Sequence, residues 1–211
     1  MPIRIRQHVN PLARKFQQPM PIPDWQEIYA NCDRPFHLDI GCARGRFLLQ
    51  MAQQHPEINY LGIEIRQQLV ELANQARDEL KLSNLHYLFG NMNSSATVLL
   101  ESLPKPLEVI SVQFPDPWFK KKHNKRRVVQ PDLVATLVDY LAEDGRIFLQ
   151  SDIEEVAIEM RDRFKADRRL IQQHDCEWLG LNPLPVPTER ERYVLDRNLP
   201  VYRVLLQKSS G

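Results

Sequence analysis

Short apolar runs alternate with longer segments of helical periodicity along most of this chain. The runs are rich in β-branched and aromatic residues and end at polar or turn-forming residues, which is typical of buried strands. They predict strands over residues 36–40, 60–63, 85–89, 107–114, 146–151 and 201–207. Helical spacing predicts helices over 46–54 and 67–82, and a proline suited to a first turn predicts another over 131–142. Because strand and helix alternate, the pattern indicates an α/β fold, a parallel sheet with helices on both faces.

Two residue pairs have the spacing of a capping box, Asp152 with Glu155 and Thr188 with Glu191. In such a box the first side chain accepts a hydrogen bond from the backbone of the fourth residue, whose own side chain reaches back. The pairs predict one helix that reaches about residue 165 and a shorter one that ends near residue 196.

The fourth predicted strand ends at Pro115-Asp116-Pro117. A proline cannot donate to a sheet ladder and restricts the residue before it, so Asp116 ends a buried strand with little backbone freedom. Trp118 follows, and then a cationic run made of Lys120, Lys121, Lys122, His123, Lys125, Arg126 and Arg127. Taken separately, a turn and a charge run are most often a plain loop and a solvated face. Their combination suits a site that positions a carboxylate beside a reaction centre and holds phosphates outside it.

A second candidate site is the turn Asp39-Ile40-Gly41-Cys42-Ala43-Arg44-Gly45, which joins the first strand to a helix. Gly41 allows a tight turn, and the small Gly45 lets the backbone approach a ligand closely. Glu64 ends the next strand, where a carboxylate can accept hydrogen bonds from ribose hydroxyls. Asn91 follows the third strand. Capping of strand ends is the alternative interpretation of these acidic and amide residues.

The turn also bears on the kind of nucleotide that it could hold. A dinucleotide requires GxGxxG, so that its pyrophosphate can lie on a helix N-terminus. Here the pattern is GxAxG, and Arg46 stands at the third glycine position. This departure disfavours a nicotinamide-dependent oxidoreductase.

Composition adds little, since 43% apolar and 26% charged residues are ordinary and the net charge is +1. The basic residues are clustered, however, and a local field matters more than a total. A length of 211 residues favours one domain. Cys32, Cys42 and Cys176 form no CxxC pair, so we expect free thiols in a reducing compartment. No apolar run has transmembrane length and no signal-peptide core is present, so the expected location is the cytoplasm.

Residues 1–24 differ from the rest of the chain. They hold several prolines and the cations Arg4, Arg6, Arg14 and Lys15, with no acidic residue before Asp24. Three interpretations stay open: a disordered terminus, a basic arm that becomes ordered on RNA, or a targeting peptide. Residues 25–211 are expected to form the single folded domain.

The segment FPDPWFKKKHNKRR is similar to the PDPWxKKxHxKRR signature of bacterial tRNA (guanine-N7)-methyltransferases, which modify guanine 46. The glycine turn resembles motif I of class I S-adenosyl-L-methionine-dependent methyltransferases, with Ala43 at the middle glycine. The resemblance spans nearly the whole chain. It implies a Rossmann-like, mostly parallel sheet with an antiparallel C-terminal strand, and S-adenosyl-L-methionine as methyl donor. It also implies tRNA as partner and favours the basic-arm interpretation of residues 1–24. No metal-ligand cluster stands out in the sequence, so no metal and no membrane partner are expected, and monomer and homodimer both stay open.

The resemblance implies roles for individual residues. Asp39 would serve the amino-acid end of the donor, Glu64 its ribose, and Asn91, where an aspartate is more usual, its adenine. The donor-binding set implied in this way is Asp39, Gly41, Gly45, Glu64, Asn91 and Asp116. The substrate-binding set is Lys120, Lys122, His123, Lys125, Arg126, Arg127, Asp152, Thr188 and Glu191. The residues 188–191 match a TxFE segment, with Arg190 where an aromatic is usual.

Asp116 is the expected catalytic residue. Guanine N7 carries a lone pair and no proton, so its methylation requires alignment and stabilisation of arriving positive charge, not a general base. An enzyme for exocyclic amines would resemble (D/N)PP(Y/F), whereas Asp116-Pro117-Trp118 lacks the second proline. An RNA-binding protein that kept the fold but lost donor binding is the remaining alternative.

Overall fold

A computed structural model describes residues 9–210 of the chain. The predicted arm cations Arg4 and Arg6 therefore lie outside the described residues, as does Gly211. The strands are β1 (Phe36–Ile40), β2 (Asn59–Glu64), β3 (Leu85–Phe89), β4 (Leu107–Gln113), β5 (Leu141–Ser151), β6 (Leu170–Gln172) and β7 (Tyr202–Lys208). The α-helices are α1 (Trp25–Ile28), α2 (Arg46–Gln54), α3 (Gln67–Glu79), α4 (Met92–Glu101), α5 (Pro131–Asp139), α6 (Glu154–Lys165) and α7 (Glu189–Leu195). Short 3-10 helices occur at Arg14–Phe16 and Lys121–Arg126.

The strands form one seven-stranded sheet in the order β3-β2-β1-β4-β5-β7-β6. Strands β1 to β5 are parallel to one another, and β7 runs antiparallel to both β5 and β6. Strands β1 and β2 are buried at every position, as expected when helices cover both faces of a parallel sheet. The α/β fold and the antiparallel C-terminal strand predicted from the sequence are both confirmed.

Two apolar clusters cover the two faces of this sheet. The larger draws on α1, α4, α5 and α6, and the smaller on α2 and α3. Alternate residues of one strand reach different clusters, as Leu61 and Tyr60 of β2 show. The segments that follow the carboxyl ends of the parallel strands meet at one edge of the sheet, where open α/β sheets place ligand sites.

One predicted helix start is wrong. The Asp152 side chain caps no helix, because α6 begins at Glu154 after Ile153 and Asp152 instead pairs with Arg190. The second predicted box is half formed. The Thr188 hydroxyl accepts from the Glu191 backbone N–H at 3.1 Å, but the Glu191 carboxylate pairs with Arg203 and does not return to the cap.

The N-terminal segment from residue 9 to residue 24 packs on the domain beside β3 and α4. Phe16 is buried and lies edge-on to Phe89, with ring centroids 6.3 Å apart. Met20 is also buried, and its backbone N–H donates to the Ser95 hydroxyl at 3.0 Å. Arg14 and Lys15, the described cations of the predicted arm, are exposed. Within residues 9–210, no helix combines the length and the apolar character needed to cross a membrane.

Candidate functional site

A cleft with a volume of about 630 Å³ opens at the carboxyl ends of the parallel strands. Its walls come from the segments that follow β1, β2, β3, β4 and β5, the edge at which open α/β sheets bind ligands. The predicted site residues that line it are Asp39, Gly41, Glu64, Asn91, Asp116, Arg126, Asp152 and Thr188. Those outside its lining are Gly45, Lys120, Lys122, His123, Lys125, Arg127 and Glu191.

The two glycines of the β1–α2 turn serve different purposes. Both have a left-handed backbone, with φ of 84° at Gly41 and 70° at Gly45. No atom lies within 4 Å of the place where a Cβ of Gly41 would project, so the backbone there is open to the cleft. A Cβ at Gly45 would lie 2.5 Å from Cζ of Tyr87, whose hydroxyl donates to the Gly45 carbonyl at 2.6 Å. The small size of Gly45 thus admits the Tyr87 ring, and the approach of its backbone to a ligand stays a prediction.

Asp39 is a buried acid at the floor of the cleft. The Ser111 hydroxyl donates to its Oδ1 at 2.6 Å and the Gln113 amide donates at 3.2 Å. Burial raises the pKa of Asp39 to about 6, and the nearby Glu64 charge adds to this rise. Since the Ser111 proton is directed at Asp39, the buried His37 donates from Nε2 to Ser111 Oγ at 2.9 Å. Burial lowers the pKa of His37 to about 3, so this chain of hydrogen bonds ends in a neutral imidazole.

Glu64 is buried and already fully hydrogen-bonded. Its Oε1 accepts from the backbone N–H and the Nε of Arg66, at 3.0 and 2.9 Å. Its Oε2 accepts from the Ala43 backbone at 3.0 Å and from Nη2 of Arg66 at 2.9 Å. The hydrogen bonds to Glu64 raise the pKa of Arg66, and the negative charge of Asp116 contributes as well. Arg66, which the sequence did not single out, thus links the predicted donor acid to the predicted catalytic acid.

Asn91 lies where the N-terminal segment meets the cleft. Its Oδ1 accepts from the Asn93 backbone at 3.1 Å and so caps α4. Its Nδ2 donates to the carbonyls of Phe16 and Pro11 at 3.1 and 3.3 Å. Asn91 therefore has the capping role that was the alternative interpretation, and it also lines the cleft beside Pro11, where a ligand could reach it.

Asp116 is held between two left-handed residues, Phe114 with φ of 49° and Trp118 with φ of 43°. Aromatic residues rarely adopt this conformation, which costs on the order of 1–3 kcal/mol each. The Phe114 backbone N–H donates to the Gln150 carbonyl at 2.8 Å and anchors the start of the loop to β5. A loop built from two prolines and two left-handed residues keeps Asp116 at the cleft wall.

Trp118 organises the cationic segment that follows. The Arg126 guanidinium lies over its ring at 4.9 Å, and His123 meets the ring edge-on at 5.6 Å. Burial lowers the pKa of His123, and the neighbouring cations lower it further. The side chains of Lys120, Lys121, Lys122 and Lys125 are exposed, and none forms an ion pair within residues 9–210. Together these four lysines form a cationic rim beside the cleft.

Arg127 does not belong to this rim, and its contact with the substrate stays a prediction. It is buried, its Nε donates to the Pro117 carbonyl at 2.7 Å, and its two terminal nitrogens pair with Glu155 and Glu159 of α6. Its contacts therefore fasten the loop that carries Asp116 to a helix of the core.

Glu191 likewise lies behind the cleft wall and does not line it. It is buried and accepts from Arg203 at 2.8 Å, from Gln150 at 3.1 Å and from Asn182 at 2.7 Å. Gln150 also donates to Gln113, which lies next to Asp39. Glu191 thereby anchors α7 to the sheet, and its direct contact with the substrate stays a prediction.

On the opposite wall, Arg190 pairs with Asp152 and lies over the Tyr193 ring at 5.2 Å. Both members of the pair line the cleft. In the part of the chain from 9 to 210, no group of three or more His, Cys, Asp or Glu side chains is arranged to hold a metal ion.

Several known proteins that are similar to this chain in sequence or in fold are methyltransferases. A family model described as a putative methyltransferase matches residues 33–204. A tRNA (guanine-N(7)-)-methyltransferase of Microcystis aeruginosa is 56% identical over 206 residues, covering 97% of this chain and 98% of that protein. One of Synechococcus elongatus is 58% identical over 205 residues, covering 96% and 95%. Among solved structures, an rRNA methylase from Streptococcus thermophilus matches with a TM-score of 0.53 and 14% identity, over 88% of this chain and 92% of that chain, which shows a shared fold.

Proposed function

This chain belongs to the tRNA (guanine-N(7)-)-methyltransferase family, and on that premise we propose that its cleft transfers the methyl group of S-adenosyl-L-methionine to N7 of a guanine in tRNA. The observation that carries the proposal is the convergence of Asp39, Glu64 and Asp116 on one cleft at the carboxyl edge of the sheet. Asp39 is the penultimate residue of β1, Glu64 ends β2 and Asp116 follows β4, which is the arrangement expected when a nucleotide donor and a base meet at this edge.

The residues of the cleft fit the donor. A volume of about 630 Å³ lies within the range of roughly 300–1,000 Å³ found for sites of small molecules and cofactors. The open side of Gly41 admits the donor against the backbone, and Asp39 offers a buried carboxyl to its ammonium group. Glu64 would accept hydrogen bonds from the ribose hydroxyls. Because each Glu64 oxygen already accepts two hydrogen bonds, Arg66 has to turn away when the ribose arrives.

Asp116 supplies the electrostatic part of the reaction. S-adenosyl-L-methionine provides a methyl group on a positively charged sulfur, and N7 of guanine provides the lone pair. As the purine gains positive charge, a carboxylate held beside it stabilises the transition state more than the ground state. Asp116 needs to remove no proton, so its pre-positioning by Phe114, Pro115, Pro117 and Trp118 is the property that matters.

The cationic rim and the cleft wall that carries Asp152 and Arg190 would bind the RNA. Lys120, Lys122 and Lys125 would neutralise phosphates, Arg126 would reach into the cleft from Trp118, and Asp152 would contact the guanine after Arg190 releases it. The resemblance to the bacterial family supports guanine 46 as the target and the cytoplasm as the location. We extend the proposal to residues 1–24 as a basic arm that contacts tRNA.

Identification of the methylated nucleoside tests this function. The protein is incubated with S-adenosyl-L-methionine labelled in its methyl group and an unmodified tRNA transcript, and the RNA is then digested to nucleosides. We expect label in N7-methylguanosine, and we expect it to vanish when guanine 46 is replaced by adenine. Label in an N2-methylated or N6-methylated nucleoside would indicate an exocyclic-amine enzyme. RNA binding without any transfer would indicate the non-enzymatic alternative.

A further inference from the structure

Phe119 is exposed to solvent at the mouth of the cleft. Its relative accessibility is 70%, and it is the only large hydrophobic residue within residues 9–210 that is both exposed and part of the cleft lining. The other exposed apolar side chains, such as Leu181 at 83% and Ile171 at 54%, lie away from the cleft. An exposed aromatic ring at the entrance of a site calls for an explanation that an isolated surface leucine does not.

The exposure of Phe119 contrasts with the position of the neighbouring Trp118, whose ring has partners within the protein. Trp118 engages Arg126 and His123 and so fills a structural role in the loop. Phe119 has no ring or cation partner in the described part of the chain. Of these two consecutive rings, one is therefore engaged within the loop and the next is exposed.

The surroundings of Phe119 indicate the chemistry of its partner. Lys120, Lys121 and Lys122 follow it directly and are exposed, so any occupant of this surface meets an apolar ring beside a row of positive charges. Proteins that bind single-stranded or unstacked RNA use this pairing, because bases stack on aromatic rings while cations hold the phosphates. A protein partner with an apolar patch would leave the lysines without counter-charges.

We propose that Phe119 is a base-stacking residue, whose ring packs against a nucleobase adjacent to the target guanine while the neighbouring lysines bind the connecting phosphates. The inference rests on the proposed function and adds a substrate contact to it. To bring N7 to the recessed Asp116, the guanine has to leave its stack, which costs a few kcal/mol. An aromatic ring at the rim replaces the stacking that the neighbouring base loses, and thereby holds the RNA open.

The test uses the full-length protein and an unmodified tRNA transcript. The variants Phe119→Ala, Phe119→Leu and Phe119→Trp are compared by tRNA affinity, single-turnover methylation, donor affinity and melting temperature, with Leu181→Ala as the control for removal of an exposed apolar side chain. We expect Phe119→Ala to weaken tRNA binding by about tenfold, the range of one base–aromatic contact. Phe119→Trp should restore binding, Phe119→Leu should not, and donor affinity and melting temperature should stay at wild-type values.

A second set of RNAs locates the stacked base. Transcripts with an abasic site on the 5′ or on the 3′ side of the target guanine are bound to the wild-type protein and to Phe119→Ala. At one flank, we expect the abasic site to weaken wild-type binding about tenfold and to leave Phe119→Ala binding unchanged, since the base and the ring are two halves of one contact.

Three results would overturn the inference while leaving the proposed function intact. If Phe119→Ala binds tRNA with wild-type affinity, Phe119 makes no contact with the RNA. If the loss caused by an abasic site and the loss caused by Phe119→Ala are additive at both flanks, neither neighbouring base stacks on Phe119. A change in sedimentation of Phe119→Ala with unchanged RNA affinity would assign the ring to contact with a second copy of the chain. A wild-type protein that transfers no methyl group to tRNA would instead overturn the proposed function, and this inference with it.

Discussion

Single residues set the conditions under which the donor can bind, and Asp39 is the most sensitive of them. Its pKa is raised to about 6 by burial, with hydrogen bonds from Ser111 and Gln113 acting in the opposite direction. A folded pKa above the ordinary value of 3.8 means that the folded protein holds this proton more tightly. The contribution of Asp39 to stability therefore falls as pH rises from 3.8 to about 6. A bound ammonium group would reverse this preference by favouring the carboxylate.

We predict that the affinity for S-adenosyl-L-methionine falls by about tenfold between pH 7 and pH 5, since Asp39 is then mostly protonated and has no charge to offer the donor ammonium. Calorimetric titration across this interval measures the effect. The variant Asp39→Asn should bind weakly and with little change across the same interval. If the wild-type protein binds S-adenosyl-L-methionine with the same affinity at pH 7 and pH 5, Asp39 does not contact the ammonium group of the donor.

The residues at strand ends could be predicted, whereas their partners could not. Asp39, Glu64 and Asp116 reach the cleft because the carboxyl ends of parallel strands share one edge, a rule that applies to sequence patterns. The inward turn of Arg127 depends on Glu155 and Glu159 of a later helix, and charge runs give no indication of which cation is buried. Arg66 could have been predicted as a partner of Glu64, because it follows that residue by only two positions.

At the scale of an element, the turn between β1 and α2 contains two glycines that are needed for different reasons. Gly41 leaves space at the cleft, and Gly45 leaves space for the Tyr87 ring. The substitution Gly45→Ala adds a methyl group 2.5 Å from the Tyr87 ring, whereas Gly41→Ala adds one in open space. Both carry the strain of a left-handed alanine, on the order of 1 kcal/mol or more. We predict that Gly45→Ala destabilises the fold by about 1–3 kcal/mol more than Gly41→Ala does, owing to the overlap with Tyr87.

Urea unfolding of the two variants measures this difference, and donor titration completes the comparison. Gly41→Ala should retain most of its stability and lose donor affinity, because its methyl group projects toward the cleft. Equal decreases of stability in the two variants would mean that the Tyr87 contact adds nothing to the requirement for glycine.

The rim lysines follow a loop whose geometry could not be read from the sequence. The spacing of the cations did not predict the 3-10 helix Lys121–Arg126, since no apolar stripe marks it and its order depends on Trp118. The resulting rim predicts a salt effect. Replacing Lys120, Lys122 and Lys125 by Ala should reduce the slope of log tRNA affinity against log salt by roughly 0.7–0.9 for each phosphate that is no longer neutralised.

A matched variant controls for net charge in this experiment. Lys81, Lys105 and Lys165 are exposed and lie outside the cleft lining, so their replacement removes the same charge from another surface. The control should leave the slope near the wild-type value. If both triple variants shift the slope equally, tRNA responds to overall charge and the rim is a solvated face.

Considered as a whole, the molecule connects its two walls through buried polar groups. Asp39 is bonded to Gln113, Gln113 to Gln150, and Gln150 to Glu191, which pairs with Arg203 and carries α7. Buried networks of this kind fix relative positions, because a half-satisfied polar group costs more than an apolar one. The fold class followed from the alternation of strands and helices, but this network joins residues far apart in sequence and became evident only in three dimensions.

If Asp116 stabilises charge in the transition state, its removal lowers the rate of methyl transfer and leaves donor binding intact, which the variant Asp116→Asn can show. The substitution keeps the size of the side chain and removes its charge. Single-turnover methylation of unmodified tRNA, donor affinity and melting temperature are measured on the same preparation, with the remote Asp175→Asn as control. We predict a rate about 10²-fold below wild type, with donor affinity and melting temperature little changed. A variant that melts like the wild-type protein and methylates tRNA at the wild-type rate would show that Asp116 has no catalytic role.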